Sequence, residues 1–205
     1  LQHYIPGIQW SNDPNTLAVT TLNRHQNNMN LLFVDSKTLK ARLVLNEKDA
    51  AYIKLADDLT CLHDNSFIWS GERDGFNHLY HYDKTGKLIN QITKGNWEVT
   101  DFYGYNGQTQ TVLYQSTEEG STKRSIYSIG ITGNNKKKLS KNKGTNSAVF
   151  SSSFQYYINT FSSTDRPFVY TLNDSSTGVV IKEIKNNDAL KAKTGLYRLP
   201  VKEIS

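Results

Sequence analysis

The chain has 205 residues, of which 37% are hydrophobic, and its 24 Lys and Arg exceed its 19 Asp and Glu to give a formal net charge of +5. The single Met and the modest apolar content argue against a membrane-spanning segment, whereas 12 Tyr, 8 Phe and 3 Trp favour the pleated surfaces of β-sheets. Cys61 is the only cysteine, so no intrachain disulfide can form. We expect its side chain to pack in a strand as a small, buried apolar group.

Part of the positive charge is a local run at Lys136, Lys137 and Lys138, followed by Lys141 and Lys143. A nucleic-acid surface would interleave such charge with exposed aromatic residues or place it on an element that reads a groove. These lysines instead flank a predicted hairpin turn, where they keep a sheet edge soluble. No nucleic-acid partner is expected.

Four similar segments of alternating apolar and polar residues follow one another along the chain. Leu32, Tyr80, Tyr127 and Tyr170 stand at equivalent positions, 48, 47 and 43 residues apart, which is close to the period of about 40 to 50 residues found in propeller blades. Alternation bounded by Asn, Asp, Gly and Ser predicts half-buried antiparallel strands joined by tight turns. We therefore predict an all-β chain of about four four-stranded antiparallel β-propeller blades.

Each segment contains four predicted strands, and helix is predicted to be nearly absent apart from a single turn near residues 188–193. The blade boundaries are set at 4–50, 51–97, 98–143 and 144–187, so that the propeller fragment occupies 1–187 and a tail occupies 188–205. In chain order the predicted strands cover 8–10, 17–19, 31–35 and 43–45; 59–62, 67–70, 79–83 and 88–93; one from 99, then 112–114, 125–129 and 136–139; one from 148, then 156–161, 169–172 and 179–184.

Three runs of residues give the chain a resemblance to a known family. They are Ile92-Thr93-Lys94-Gly95-Asn96-Trp97-Glu98-Val99, the run from Ser70 to Tyr80, and Phe150-Ser151 followed by 154–157. With the opening 8–11 and the run 22–27, they resemble the propeller domain of dipeptidyl peptidase IV and its bacterial relatives among the prolyl oligopeptidase-type serine peptidases. The resemblance covers essentially the whole chain, and the Thr-x-Gly-x-Trp-Glu-Val run is its most specific signal.

In that family an eight-bladed propeller lies over an α/β-hydrolase domain that releases dipeptides from peptide N-termini, commonly after proline or alanine. The resemblance implies that the four repeats are the C-terminal half of such a propeller and that 188–205 leads toward a missing hydrolase domain. The chain opens at Leu1 without an initiator Met or a signal sequence, so we expect a longer parent protein. The parent would be the enzyme, and this fragment alone would be non-catalytic, with peptide substrates, the hydrolase domain and the other propeller half as partners.

No serine nucleophile of the hydrolase type is expected within the chain. Such a serine needs Gly-x-Ser-x-Gly, because it sits on a sharp strand-to-helix turn with no room for neighbouring side chains, and that pentapeptide is absent here. The family's paired glutamates, which bind the substrate amine, belong to an earlier part of the propeller. Glu118 and Glu119 are therefore interpreted as a solvated turn rather than as that pair.

One stretch of the chain matches a substrate-side loop of the family. The stretch is 49–54, in which Tyr52 could cover an apolar side chain and Lys54 could meet a carbonyl or carboxylate, with Ile53 between them. The alternative interpretation is a plain linker between two blades. A further set of residues is assigned a structural role by the family motifs: Asn77, His78, Tyr80, Trp97 and Glu98.

No metal site and no cofactor are expected. His78 and His81 are three residues apart in a predicted strand, so they point to opposite faces and cannot chelate one ion without a bulge. We interpret both as structural.

Four blades cut from an eight-bladed ring would expose two apolar faces. We expect either a tightened four-blade closure or self-association through the terminal blades. The main functional hypothesis is a propeller fragment that gates substrate access and lines the chamber of a secreted dipeptidyl peptidase. The alternative is a stand-alone propeller-type module that binds a peptide or glycan or acts as a scaffold. By analogy with bacterial relatives, the protein is expected to be exported to the periplasm or cell surface.

Overall fold

The computed structural model describes residues 3–55 and 59–195, which form four antiparallel sheets of four strands each. This confirms the predicted all-β architecture of propeller blades. Within each sheet the strands lie in chain order, so every connection is a hairpin between neighbours. The strands are β1 His3–Trp10, β2 Thr16–Asn23, β3 Asn28–Asp35, β4 Ala41–Lys48, β5 Thr60–Cys61, β6 Phe67–Gly71, β7 His78–Tyr82, β8 Leu88–Gln91, β9 Val99–Asn106, β10 Thr111–Ser116, β11 Ser125–Gly130, β12 Lys137–Lys138, β13 Thr145–Phe150, β14 Tyr156–Ser163, β15 Arg166–Asp174 and β16 Val180–Lys185.

A helix, α1, follows the fourth sheet and runs from Asp188 to Gly195. The sequence predicted a single turn near residues 188–193, and the structure has an eight-residue helix there. Its first residue is acidic and Lys193 lies in its last turn, a charge order that complements the helix dipole. The predicted blade boundaries stay predictions, and most of the tail at 188–205 lies outside the described residues.

The chain divides into two compact units. The first is Leu1–Gly71 with Leu79–Gln91, and it holds the first two sheets except for His78. Its core joins the inward side of the first sheet to the second sheet: the Phe33 ring meets Phe67 edge-on at 5.7 Å between ring centroids, and Phe67 stacks on Tyr82 at 5.2 Å. Leu31 and Met29 are fully buried beside them.

The second unit is Glu72–His78 with Ile92–Ser205, and it holds the third and fourth sheets. Phe150 stacks on Tyr157 at 5.0 Å in its core, and the Phe154 ring lies beside Phe150. Gly104 adopts a φ of 134°, and a Cβ at this position would come within 2.7 Å of Phe154 Cζ. The backbone at 104 therefore lies directly against the Phe154 ring.

A buried amide ties the third sheet to the fourth. Asn146 is fully buried, and its Nδ2 donates to the carbonyl oxygens of Arg124 and Asn142, both at 3.0 Å. Gln115 Nε2 donates to the Asn146 carbonyl at 2.6 Å, and Asn159 Nδ2 donates to Asn146 Oδ1 at 3.3 Å. Asn146 therefore hydrogen-bonds with backbone and side-chain groups on both sides of the junction between these two sheets, among them the buried Gln115 and Asn159.

The turns between the third and fourth strands of the sheets share a residue with a left-handed backbone. Its φ is 56° at Leu39, 90° at Gly86, 84° at Gly133 and 70° at Gly178. Two of these glycines lie against a preceding sheet, since a Cβ at Gly86 would meet the Val44 carbonyl oxygen at 1.7 Å and one at Gly178 would meet that of Leu139 at 2.4 Å. Glycine is required at both positions by conformation and by space.

Candidate functional site

His78 anchors the most specific sequence motif. The side chain is fully buried, its Nδ1 lies 3.1 Å from Thr93 Oγ1, and its Nε2 lies 3.0 Å from the Gly95 carbonyl oxygen. The Trp97 ring meets the imidazole edge-on at 4.8 Å. A Cβ at Gly95 would come within 2.2 Å of Trp97 Nε1, so only glycine lets the indole fold back over this loop. His78 therefore fixes the loop that carries Trp97.

Trp97 begins an aromatic stack that runs into the third sheet. Its ring is nearly parallel to that of Tyr114 at 6.1 Å, and Tyr114 in turn stacks on Tyr127 at 5.5 Å. Lys136 Nζ lies 5.7 Å from the Trp97 centroid and 5.8 Å from the Tyr127 centroid, within cation–π distance of both.

Hydrogen bonds also fix Asn77 and Glu98, which neighbour His78 and Trp97 in the chain. Asn77 Nδ2 donates to the Val99 carbonyl at 2.8 Å, and the Val99 N–H donates to the Asn77 carbonyl at 2.8 Å. The Glu98 N–H donates to Thr117 Oγ1 at 3.0 Å. The second unit thus brings together Asn77, His78, Trp97 and Glu98, whereas Tyr80 lies buried in the core of the first unit.

Glu118 and Glu119 lie in the turn after β10, partly exposed, and each pairs with a lysine, which the interpretation from sequence did not include. Glu118 Oε1 accepts from Lys136 Nζ, and Glu119 Oε1 accepts from Lys138 Nζ at 2.5 Å. The hydrogen bond from Lys138 lowers the pKa of Glu119, and Ser125 adds a second hydrogen bond. The hairpin geometry brings charges 18 and 19 residues apart into contact, a proximity that no short sequence spacing reveals.

The stretch 49–54 is anchored by its backbone and exposes two of the three predicted substrate-side residues. The Asp49 N–H donates to the Asn27 carbonyl at 3.0 Å, and the Ile53 N–H donates to the Gln26 carbonyl at 2.7 Å. Ile53 packs on the core of the first unit, while Tyr52 is 64% exposed and Lys54 is exposed. The arrangement presents an aromatic ring and an ammonium group outward from a fixed loop.

The two histidines of β7 lie in separate hydrogen-bond networks. His81 Nε2 lies 2.9 Å from Ser66 Oγ, and burial lowers the pKa of His81. Over residues 3–55 and 59–195, no group of three or more His, Cys, Asp and Glu side chains could hold a metal ion. In the same part of the chain, no helix is long and apolar enough to cross a membrane.

The first sheet exposes an apolar face on the side away from its core. Ile8, Val19, Leu32 and Leu43 are directly opposed across its four strands and therefore share one face. Ile8 is 60% exposed and Leu43 is 54% exposed. Trp10, two residues after Ile8 in β1, is also 60% exposed and extends the same face.

The fourth sheet has a similar apolar face. Val149, Ile158 and Leu172 are directly opposed across three strands. Val149 is 71% exposed. In β15, Phe168 and Tyr170 alternate with Leu172 along the same face, and Phe168 is 53% exposed. Contiguous apolar faces of this kind mark interaction surfaces in soluble proteins.

A family comparison identifies a match over most of the chain. The model for the dipeptidyl peptidase IV (DPP IV) N-terminal region matches residues 2–168. A probable dipeptidyl peptidase 4 of Aspergillus flavus is 28% identical over 207 residues, which cover 94% of this chain and 26% of that protein. The dipeptidyl peptidase 4 of Arthroderma otae is 32% identical over 138 residues, covering 65% of this chain and 18% of that protein.

Solved structures give the same result. The crystal structure of Porphyromonas gingivalis dipeptidyl peptidase 4 matches with a TM-score of 0.88 and 38% identity, covering 94% of this chain and 27% of that one. A putative dipeptidyl aminopeptidase IV from Bacteroides ovatus matches with a TM-score of 0.79 and 22% identity over 90% of this chain and 29% of that one, which supports the fold alone. The chain spans about a quarter of the length of the relatives it matches.

Proposed function

Because the chain belongs to the dipeptidyl peptidase IV N-terminal region family, we propose that it is a non-catalytic propeller part of a serine dipeptidyl peptidase that releases X-Pro or X-Ala dipeptides from peptide N-termini. The observation that carries the proposal is the likeness to the Porphyromonas gingivalis enzyme, at 38% identity over 94% of this chain. In the proposed enzyme this part gates substrate access and lines the chamber.

The nucleophile is assigned to another part of the proposed enzyme. The chain spans about a quarter of the length of its relatives and contains no Gly-x-Ser-x-Gly elbow. A Ser-Asp-His triad in the remaining part would carry the chemistry, and peptides would be its substrates. With the chemistry assigned to that other part, the propeller blades are left with the role of positioning the substrate.

The exposed apolar faces of the first and fourth sheets support a place inside a larger assembly. Ile8 and Leu43 on one face, and Val149 and Phe168 on the other, would cost less free energy if covered by protein than by water, at about 25 cal/mol per Å² of apolar surface removed from water. We assign the missing half of the propeller and the hydrolase domain as the elements that cover these faces.

The anchored loop 49–54 is the proposed substrate-side contact. Ile53 fixes the loop to the core, so Tyr52 and Lys54 are held outward at low entropic cost. Tyr52 would cover the apolar side chain of the second substrate residue, and Lys54 would donate to a peptide carbonyl or carboxylate. We further propose that the enzyme is exported to the periplasm or cell surface of a bacterium.

The test compares hydrolysis of Gly-Pro-p-nitroanilide by the isolated chain, by the natural protein that carries it, and by that protein with Tyr52→Ala and Lys54→Ala. We expect no hydrolysis by the chain and hydrolysis by the natural protein. The double variant is expected to raise KM by about 3- to 10-fold while kcat is unchanged, since the lost contacts are binding contacts. Lys48→Ala, an exposed residue at the end of β4, is the matched control.

Hydrolysis by the isolated chain would contradict the non-catalytic role. Hydrolysis by neither protein would contradict the peptidase assignment and favour a stand-alone module that binds a peptide or glycan. An unchanged KM in the double variant would mean that the loop 49–54 is a plain linker between two blades. It would not affect the peptidase assignment.

A further inference from the structure

A cavity of about 370 Å³ lies in the first unit, between the first and second sheets. Its lining comes from the turn after β1, the turn and strands around 33–42, the short strand β5, and the turns at 62–66 and 83–87. The volume falls within the range of small-molecule sites, which is roughly 300 to 1,000 Å³. The cavity is independent of the loop 49–54 and of the peptidase assignment.

Three cationic side chains line the cavity: Lys40, Arg42 and Lys84. Arg42 is held in place, because its Nη2 donates to the Lys84 carbonyl at 2.6 Å and its guanidinium lies 5.9 Å from the Phe33 ring centroid. Over the described residues, none of the three cations forms an ion pair with a carboxylate.

Two carboxylates also line the cavity, and both are already engaged by neighbouring turns. Asp13 Oδ1 accepts from the Asn15 N–H at 2.9 Å, and Asp13 Oδ2 accepts from the Thr16 hydroxyl at 2.9 Å. Asp35 Oδ1 accepts from two backbone N–H groups and from the Thr38 hydroxyl. With three cations and two carboxylates, the charged side chains of the lining have a net charge of +1. The carboxylates accept hydrogen bonds from their own turns, so the cations keep donors that are free to bind a ligand.

We propose that this cavity binds a small anion, with Arg42 as a fixed donor and Lys40 and Lys84 as mobile cations at its rim. A carboxylate and a phosphate share the chemistry that such a site recognises, namely a compact group of acceptor oxygens. The guanidinium supplies paired donors, and the two ammonium groups supply charge. The ligand is therefore a small carboxylate or phosphate compound.

Cys61 provides a built-in reporter of occupancy. It lines the cavity and is the only cysteine of the chain, so a thiol reagent labels one position. Burial raises the pKa of the Cys61 thiol, and alkylation by neutral iodoacetamide is therefore followed at mildly alkaline pH. Citrate and inorganic phosphate are the two probes, each compared with sodium chloride at the same ionic strength.

We expect citrate or phosphate to slow alkylation of Cys61 in a saturable manner, and the more protective probe identifies the preferred anion class. Lys40→Gln with Lys84→Gln is expected to weaken that protection by about 10-fold or more in apparent Kd. Lys37→Gln with Lys87→Gln is the matched control, since these exposed lysines lie in the same two turns but do not line the cavity.

Protection that is equally weakened in both double variants would overturn the proposal, because it would reflect general charge rather than the cavity. Absence of protection by either probe would also overturn it. Both double variants replace exposed turn residues, and equal thermal unfolding midpoints establish that each is folded. Arg42→Gln provides a second variant, for which retained protection would contradict the role of the guanidinium.

Discussion

At the scale of single residues, Leu39 occupies a backbone position that other turns fill with glycine. Leu39, Gly86, Gly133 and Gly178 are separated by 47, 47 and 45 residues, and all have a left-handed φ. Leu39 is 77% exposed, so its side chain gains little from packing. A left-handed backbone costs an ordinary residue about 1 to 2 kcal/mol.

Leu39→Gly is therefore expected to raise the free energy of unfolding by about 0.5 to 1 kcal/mol, after the larger chain entropy of glycine is subtracted. Urea denaturation followed by circular dichroism measures the change. Leu88→Gly, at an exposed strand position, is the control and should lower stability. A loss of stability in Leu39→Gly would mean that the leucine side chain makes a stabilising contact.

Sequence alone predicted that Asn, Asp and Gly would occupy the turns, and it did so for Gly86 and for Asn65, whose φ is 64°. It could not predict Leu39, because a leucine carries no signal for a left-handed backbone. Nor could it predict the ion pairs of Glu118 and Glu119, since those depend on the positions of strands that meet only in the folded sheet.

At the scale of secondary structure elements, one buried amide joins the third and fourth sheets. Asn146→Ala would remove the Nδ2 donor to the Arg124 and Asn142 carbonyls, and it would leave the Nδ2 of the buried Asn159 without its Oδ1 acceptor. We expect a loss of about 2 to 3 kcal/mol in the free energy of unfolding, because unpaired buried polar groups cost about 1 to 3 kcal/mol each. Urea denaturation of the full chain measures it.

Asn134→Ala, in an exposed turn, is the matched control and should change stability by less than about 0.5 kcal/mol. An equally small effect at Asn146 would mean that water replaces the lost donor. Strand positions were largely predictable from period-two alternation, whereas the two-residue lengths of β5 and β12 were not. Pairing length depends on where neighbouring backbones diverge, which alternation does not encode.

At the scale of the whole molecule, the first and fourth sheets each expose an apolar face. The expectation that four blades of an eight-bladed ring expose two apolar faces predicted such faces at the terminal blades, although it did not identify the residues that form them. We expect the isolated chain to self-associate through these faces, because water-exposed apolar surface favours association.

Val149→Lys with Ile158→Lys places two charges side by side on the fourth sheet and should shift the chain toward monomer in analytical ultracentrifugation. Gln108→Lys, in an exposed turn, adds charge elsewhere and should leave the association unchanged. A monomeric unmodified chain, or a double variant that sediments as the unmodified chain does, would contradict self-association through this face.

The contact between Gly104 and Phe154 has a consequence for how the sequence can diverge. The aromatic ring occupies the space that any side chain at position 104 would need, with only 2.7 Å between Phe154 Cζ and the place of a Cβ. A side chain at 104 would have to displace the Phe154 ring and also adopt a φ of 134°, which favours glycine. A smaller residue at 154 would remove the first obstacle and not the second, so we expect glycine to persist at 104 even where position 154, 50 residues further along the chain, changes.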